Sequence, residues 1–257
     1  MKVAPIGIID MGIHNISILN ALGNEFKTEN FIYINDLEKN DYEGLAEEEI
    51  QKRVQVHTEF LLAKKVKLIV VVSNTIMEYC RDYFEAIAVP VVNIVDSIIN
   101  QVNSCYEHRN MAFMATDNIT KANIYQKNFR YNHLYNIISD TLLAVVEENK
   151  MKTSASFNAT LEAFKPVFKK DIDVIIPTAF NFLLLNTEIS EYMKEIDILN
   201  LNALFIEKVK AALLTIENLN YRGKGKVTIV INMPVVKVEF RHLLKVKYEI
   251  KKVKFHY

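Results

Sequence analysis

The side chains of this sequence that are placed to do chemistry are hydroxyls, amides and carboxylates that directly follow short apolar runs. They are Asp10, the stretch 36–42, the Ser-Asn-Thr stretch 73–75, Thr116 and Thr178. If the apolar runs are strands of a parallel sheet, these positions lie just outside its carboxyl ends, where open α/β sheets bind ligands. A carboxylate there can transfer protons, and the free N–H groups at the start of a following helix can hold a carboxylate ligand. Each position is also compatible with a plain turn or helix cap.

The sequence lacks the motifs of several other chemistries. The GKGK segment at 223–226 does not have the Walker spacing, and neither G-x-G-x-x-G nor G-x-S-x-G occurs. The six histidines are scattered without metal-ligand spacing, and His57 lies on the apolar face of a predicted helix, where we expect it to pack. Cys80 and Cys105 are too few for a disulfide framework or a four-cysteine zinc site. We therefore expect no metal site and no nucleotide or catalytic-triad chemistry.

The charge balance argues against a dedicated nucleic-acid or membrane-surface binder. The 257 residues contain 31 Lys and Arg against 31 Asp and Glu, whereas such binders carry a large positive surplus. The apolar run near the first residue is too short for a signal peptide, and no apolar stretch reaches the length of a membrane span. We expect a cytoplasmic protein with no membrane association.

The elements that must position these side chains alternate along the chain. Predicted strands cover residues 3–9, 31–34, 66–75 and 89–95, with predicted helices at 45–65 and about 76–84. The pattern restarts with predicted strands at 111–115, 136–138 and 173–176. Short apolar strands alternating with helices are typical of parallel sheets covered on both faces, so two α/β halves are predicted.

The last fifty residues have a different character. After a predicted helix at 203–216, the stretches VTIVINMPVVKVEF and KVKYEIKKVKFHY alternate apolar and polar residues, which predicts two half-buried strands. The Lys-rich second stretch is typical of an edge strand whose charges block aggregation. A site for a polyanion or a protein partner is the alternative.

Several segments together resemble glutamate racemase, of the aspartate/glutamate racemase superfamily. They are IGIIDMG, IYIND with the following Tyr42, VKLIVVVSNT, VPVVNIVDSI, MAFMATDNITKANIY, AVVEENK and DVIIPTAFNFLLL, in the family's order over about residues 1–210. The resemblance implies two pseudo-symmetric, flavodoxin-like parallel-sheet α/β domains with the active-site cleft between them. The first domain would comprise residues 1–96 plus about 204–257, and the second residues 97–203.

The resemblance also implies where the chemistry would lie. The family interconverts L- and D-glutamate, the latter a peptidoglycan precursor, without a cofactor, using one cysteine from each half. Those positions are held here by Ser73 and Thr178, while Asp10, the family's partner of the first cysteine, is retained. The positions implied to bind substrate are Met11, Tyr42, Asn74, Thr75, Thr116, Glu147 and Ala179.

Further departures from the family surround these positions. Phe180 replaces the histidine that assists the second cysteine, Met11 replaces a serine, and Asp41 and Glu43 flank Tyr42 in place of proline and glycine. A thiol has an ordinary pKa of about 8.5 and an aliphatic hydroxyl lies several units higher, so five units would cost on the order of 10⁵-fold in rate at one base.

The sequence therefore predicts a catalytically degenerate homologue, a pseudoenzyme that retains amino-acid or small-carboxylate binding or a protein-interaction role. One alternative is an active, cofactor-independent racemase or isomerase of glutamate or aspartate, with bases rebuilt from Asp10, Ser73, Thr178 and Glu147. Another is a pure interaction module that uses the basic C-terminal strands. The resemblance permits a homodimer, whereas a nucleic-acid or gyrase contact has no support in the sequence.

Overall fold

The computed structural model describes residues 3–36, 42, 44–232 and 240–257. Two of the departures from the family, Asp41 and Glu43, lie outside these residues, and so does part of the VTIVINMPVVKVEF stretch. The chain divides into two compact units, one formed by Met1–Ile94 with Phe205–Tyr257 and the other by Val95–Leu204. Among the described residues, no helix combines the length and the apolar character that crossing a bilayer requires.

The first unit is built on a six-stranded, all-parallel sheet in the order β10-β9-β2-β1-β3-β4. Its strands are β1 (Ile6–Met11), β2 (Phe31–Asp36), β3 (Leu68–Val71), β4 (Val91–Asn93), β9 (Val227–Asn232) and β10 (Tyr248–Val253). Its helices are α1 (Ile18–Glu25), α2 (Glu47–Ala63), α3 (Asn74–Tyr79), α4 (Arg81–Ala86) and most of α10 (Leu201–Thr215). Helix α2 packs closely on β1 because Gly7 has no side chain; a Cβ there would lie 2.7 Å from Leu61 Cδ1.

A buried ion pair joins three segments of this unit. Lys67 Nζ lies 2.6 Å from Glu29 Oε2 and donates to the carbonyl of Asn218 at 2.6 Å. The other Glu29 oxygen accepts from the backbone N–H of Asn220 at 2.7 Å. The segment after α10 is therefore held against the starts of β2 and β3, which places β9 beside β2.

The second unit has a four-stranded, all-parallel sheet in the order β6-β5-β7-β8. Its strands are β5 (Arg109–Ala115), β6 (Tyr131–Ile138), β7 (Val174–Pro177) and β8 (Asp197–Ile198). Its helices are α5 (Ile94–Cys105), α6 (Asp117–Ala122), α7 (Asp140–Glu147), α8 (Ser154–Phe164) and α9 (Asn186–Tyr192). The prediction of two parallel-sheet α/β domains is confirmed.

Several predicted elements differ from the structure, among them the strand predicted at 66–75, which is β3 over Leu68–Val71, with Asn74 and Thr75 in α3. The helix predicted at about 76–84 is two short helices that meet at Cys80. Strand β9 is buried at all six positions instead of half-buried, because β2 and β10 flank it and both of its faces are covered. Strand β6 begins at Tyr131, five residues before the predicted strand 136–138. The prediction missed this part because the outer residues of β6 are exposed and form no apolar run. Strand β10 is an edge strand, as its lysines predicted.

Candidate functional site

Asp10 is a buried carboxyl group near the carboxyl end of β1. It is 0% exposed and accepts hydrogen bonds from the Tyr33 hydroxyl at 2.5 Å and from Asn15 Nδ2 at 3.3 Å. Burial raises the pKa of Asp10 to about 6, although the two hydrogen bonds act in the opposite direction. A carboxyl group that titrates near neutral pH is suited to hold or transfer a proton.

Asn35 lies beside Asp10 on the neighbouring strand and was not singled out from the sequence. The two residues are paired in the register of β1 and β2, so their side chains point to the same face of the sheet. Asn35 is 0% exposed, and neither its Oδ1 nor its Nδ2 has a hydrogen-bond partner among the described residues. An amide group buried in this way is costly, about 1–3 kcal/mol, and is a candidate for contact with a polar ligand or water. The only sequence signal was its position just before Asp36.

Ser73 follows β3 and works as the cap of α3. Its Oγ accepts from the backbone N–H of Ile76 at 3.2 Å, and its side chain is buried. Asn74 and Thr75 are the half-buried first residues of this helix. The structure thus brings Asp10 and Ser73 to the carboxyl ends of adjacent strands, with the Ser73 hydroxyl engaged in local structure.

Met11 and Tyr42 belong to the other face of the same sheet end. Met11 pairs with Asp36 in the strand register, one position beyond Asp10 and Asn35, so these two side chains point away from Asp10. The Tyr42 hydroxyl donates to Asp36 Oδ2 at 3.0 Å and is buried. Tyr42 is therefore tied to Asp36, on the face covered by α2.

A polar network that the sequence did not reveal surrounds Asp36. The same carboxylate oxygen accepts from Arg53 Nη1 at 3.0 Å and from the Tyr257 hydroxyl at 3.1 Å. The Arg53 guanidinium also lies 4.1 Å from the centre of the Tyr257 ring. Because Arg53 is 5% exposed and Asp36 0%, this ion pair is largely shielded from water.

His57 completes the network. Its Nε2 lies 2.9 Å from the Tyr257 hydroxyl, and its ring packs edge-on to Phe255 at 4.7 Å. Burial lowers the pKa of His57 to about 4, so the ring is neutral at pH 7. The sequence-based expectation of a packing histidine is met, with a hydrogen bond in addition.

The second unit places Thr116 and Thr178 at the ends of the neighbouring strands β5 and β7. The Thr178 hydroxyl donates to the carbonyl of Met114 at 3.1 Å and is buried, while Thr116 Oγ1 caps α6 by accepting from the N–H of Ile119 at 3.4 Å. Ala179 and Phe180 are buried where a short 3-10 helix, Phe180–Leu185, begins.

The remaining chemically interesting side chains lie away from the strand ends. Glu147 is half-buried at the end of α7. Cys80 is buried between α3 and α4, where burial raises the pKa of its thiol to about 12, and Cys105 is exposed at the end of α5. Across the part of the chain that the structure describes, no three His, Cys, Asp or Glu residues form a group that could hold a metal ion.

Fold and site define the chain as a two-unit, all-parallel α/β protein with polar side chains at the strand ends. No family model matches it. Glutamate racemase 3 of Caldanaerobacter subterraneus subsp. tengcongensis is 22% identical over 233 residues, covering 88% of this chain and 85% of that protein. Among solved structures, glutamate racemase from Thermus thermophilus in complex with beta-chloro-D-alanine has a TM-score of 0.85 at 21% identity, with 98% of each chain covered. Glutamate racemase from Francisella tularensis in complex with D-glutamate has a TM-score of 0.84 at 18% identity, covering 99% and 98%.

The chain is thus similar to glutamate racemases in sequence over most of its length, and it has their fold.

Proposed function

We propose that this protein is a glutamate racemase homologue that has lost two-cysteine racemisation and retains binding of an amino acid or small carboxylate. The observation that carries the first half is the engagement of both hydroxyls. Ser73 Oγ caps α3, and the Thr178 hydroxyl donates to a carbonyl of its own sheet. Neither of these two hydrogen bonds joins the hydroxyl to a base that could remove its proton, as an active nucleophilic or basic hydroxyl requires.

Binding is supported by the pair Asp10 and Asn35. Asp10 titrates near neutral pH, and the adjacent Asn35 amide offers both a donor and an acceptor. These are the groups that an α-amino or a carboxylate group can use. Under this proposal the ligand would lie at the carboxyl ends of the first unit's strands.

Turnover tests the catalytic half of the proposal. Chiral chromatography with D- and L-glutamate and D- and L-aspartate should detect no racemisation above buffer. The double variant Ser73→Cys, Thr178→Cys should gain measurable racemisation, more so with Phe180→His and Met11→Ser added, while each single cysteine variant should stay inactive. Racemisation by the unmodified protein would overturn this half.

Thermal unfolding with a panel of small carboxylates and amino acids tests the binding half. A ligand at 100 times its dissociation constant stabilises the folded state by about 2.7 kcal/mol. Asp10→Asn should remove most of that stabilisation, whereas the exposed control Glu162→Gln should keep it. If no compound in the panel raises the unfolding temperature, binding is not retained and an interaction role is favoured.

A racemase or isomerase with rebuilt bases is the second candidate, and the raised pKa of Asp10 favours it. One base on one face of the substrate would exchange the Cα proton with solvent without inverting the centre. Proton NMR of L-glutamate in D₂O would reveal such exchange, and Asp10→Asn should abolish it. Absence of exchange with both enantiomers of glutamate and aspartate would eliminate this candidate.

A further inference from the structure

The edge strand β6 differs from the other edges of the two sheets. Strands β4 and β8 have three and two residues, and the six-residue β10 carries Glu249, Lys251 and Lys252. Strand β6 has eight residues, YNHLYNII, with no Lys, Arg, Asp or Glu. Proteins normally shorten, charge or cover a sheet edge, because its unpaired backbone groups template pairing with another strand. In the described part of the chain, β6 is the edge that lacks the first two of these protections.

The outer side of β6 is open to solvent. Residue Ile138 is 44% exposed and Tyr131 38%, and Asn136 is also exposed. Ser139 donates its N–H to the carbonyl of Ala115, and Ile137 pairs with Met114. In a parallel pair alternate residues bond to the neighbouring strand, so the odd-numbered residues of β6 face β5.

The even-numbered residues Leu134, Asn136 and Ile138 consequently turn their backbone N–H and C=O groups away from the sheet. The register of β5 and β6 shifts between Arg109 and Asn110, which leaves Asn132 as an extra residue. Segment 134–138 lies beyond this irregularity and is regular to its end. It is therefore a regular stretch whose alternate backbone groups face away from the sheet, toward the side where a second strand could pair.

We propose that segment 134–138 pairs antiparallel with the same segment of a second copy of this chain, about a two-fold axis at Asn136. This register joins outward-turned residues with each other, as an antiparallel hydrogen-bonded pair requires, and would form about six main-chain hydrogen bonds. Leu134 then lies opposite Ile138 of the second copy, Tyr135 opposite its Ile137, and Asn136 opposite its Asn136.

The side chains favour this occupant over an unrelated strand. The register pairs apolar with apolar, aromatic with β-branched, and amide with amide, and each such cross-strand pair contributes roughly 0.2–1 kcal/mol. Because β6 contains no Lys, Arg, Asp or Glu, no like charges lie opposite each other in this register. A register centred on Leu134 would bring the irregular Asn132 into the ladder, which disfavours it. The two four-stranded sheets of the second units become one continuous sheet, and β6 ceases to be an edge.

Charged substitutions of Asn136, the residue at the two-fold axis, test the proposal. Sedimentation analysis at micromolar concentrations should give the full chain twice its monomer mass of 29.7 kDa. Asn136→Lys and Asn136→Asp should each weaken association by roughly tenfold or more, since like charges then lie directly opposite each other. An equimolar mixture of the two variants should restore the dimer, because Lys then opposes Asp.

Asn132→Lys is the matched control, since it adds the same charge to an exposed residue of β6 outside the paired segment. It should leave the dimer intact. A monomeric unmodified protein would overturn the proposal, as would equal dissociation of the Asn132→Lys and Asn136→Lys variants or a mixture that stays monomeric. Far-UV circular dichroism confirms that each variant is folded.

Discussion

Asp10 and Asp36 are both fully buried carboxyl groups at the ends of adjacent strands of one sheet, yet their surroundings differ in kind. Asp10 receives hydrogen bonds from two neutral groups, Tyr33 and Asn15. Asp36 receives them from two neutral hydroxyls and from the Arg53 guanidinium. The two carboxyl groups therefore lie on opposite faces of the sheet with different partners for their charge.

The difference separates a group that can exchange a proton from one that holds structure together. Neutral donors offset only part of the cost of burying a carboxylate, so the pKa of Asp10 is raised to about 6. Asp36 instead forms a buried ion pair with Arg53, and removing one partner of a buried ion pair is costly. Asp10 is thus the better candidate for chemistry or ligand binding, and Asp36 for positioning Tyr42 and the 255–257 segment.

Breaking the Asp36 ion pair should have the largest effect. Arg53→Met leaves a buried carboxylate without its cation, and such losses cost about 3–5 kcal/mol. Urea denaturation should show this decrease in the free energy of unfolding. The control Glu49→Gln removes the exposed partner of Arg53 on α2, whose side chain is 44% exposed, and should cost under about 1 kcal/mol. Equal effects from both variants would show that Asp36 does not depend on Arg53.

The pH dependence of stability should show the next largest effect, and it tests Asp10. Because the pKa of folded Asp10 is above its ordinary value of about 3.9, the folded state holds a proton that the unfolded state releases. The resulting stability is present below about pH 4 and is lost as the pH rises through about 6, a change of roughly 3 kcal/mol. Asp10→Asn should lack this change, so its free energy of unfolding relative to the unmodified protein should rise between about pH 4 and about pH 7.

His57 acts in the opposite direction and must be separated from Asp10. Its folded pKa of about 4 lies below the ordinary value of about 6.5, so stability is lost as the pH falls through that window. Since His57 is present in both proteins, the comparison with Asp10→Asn cancels its contribution. A difference that does not vary with pH would mean that Asp10 is ionised in the folded state as readily as in the unfolded chain.

The fold could be predicted from the sequence wherever a strand is covered on both faces. Continuous apolar runs gave β5 and β7 within two residues of their observed bounds, whereas the predicted strand 66–75 extends past β3 into α3. The outer part of β6 was missed because exposed edge residues leave no apolar run. The alternating pattern of β9 was misinterpreted, because Thr228 and Asn232 are buried among neighbouring strands instead of facing solvent.

The site could be predicted only where it depends on local position. The placement of Asp10, Ser73 and Thr178 at strand ends was predicted because they follow apolar runs. Arg53 and Tyr257 were not, because their contacts join segments that are far apart in sequence: Tyr257 reaches Asp36 across 221 positions. No spacing rule connects such residues, and only the fold brings them together.

Removing the Tyr257 hydroxyl should have an intermediate effect. This hydroxyl contacts Asp36, His57 and Asn232, and a hydrogen bond to a charged group contributes about 1.5–3 kcal/mol. Tyr257→Phe keeps the ring on Arg53, so we expect a loss of about 2 kcal/mol in urea denaturation. Tyr221→Phe, at a residue that is 71% exposed, should change nothing measurable. A neutral Tyr257→Phe would show that the hydroxyl adds no net stability and that the ring contacts hold the segment.

Ser73→Ala should have the smallest effect and bears most directly on function. Loss of the cap of α3 costs about 1 kcal/mol, since one helix N–H loses its acceptor. If the hydroxyl only caps the helix, Ser73→Ala should lower the free energy of unfolding and leave the stabilisation by any bound carboxylate unchanged. Asp10→Asn should show the reverse pattern at about pH 7, with ligand stabilisation reduced and the protein itself no less stable, because a buried charge has been removed. Should Ser73→Ala instead abolish ligand stabilisation without weakening the fold, the hydroxyl would belong with Asp10 among the ligand-binding groups, and its role as a helix cap would be incidental.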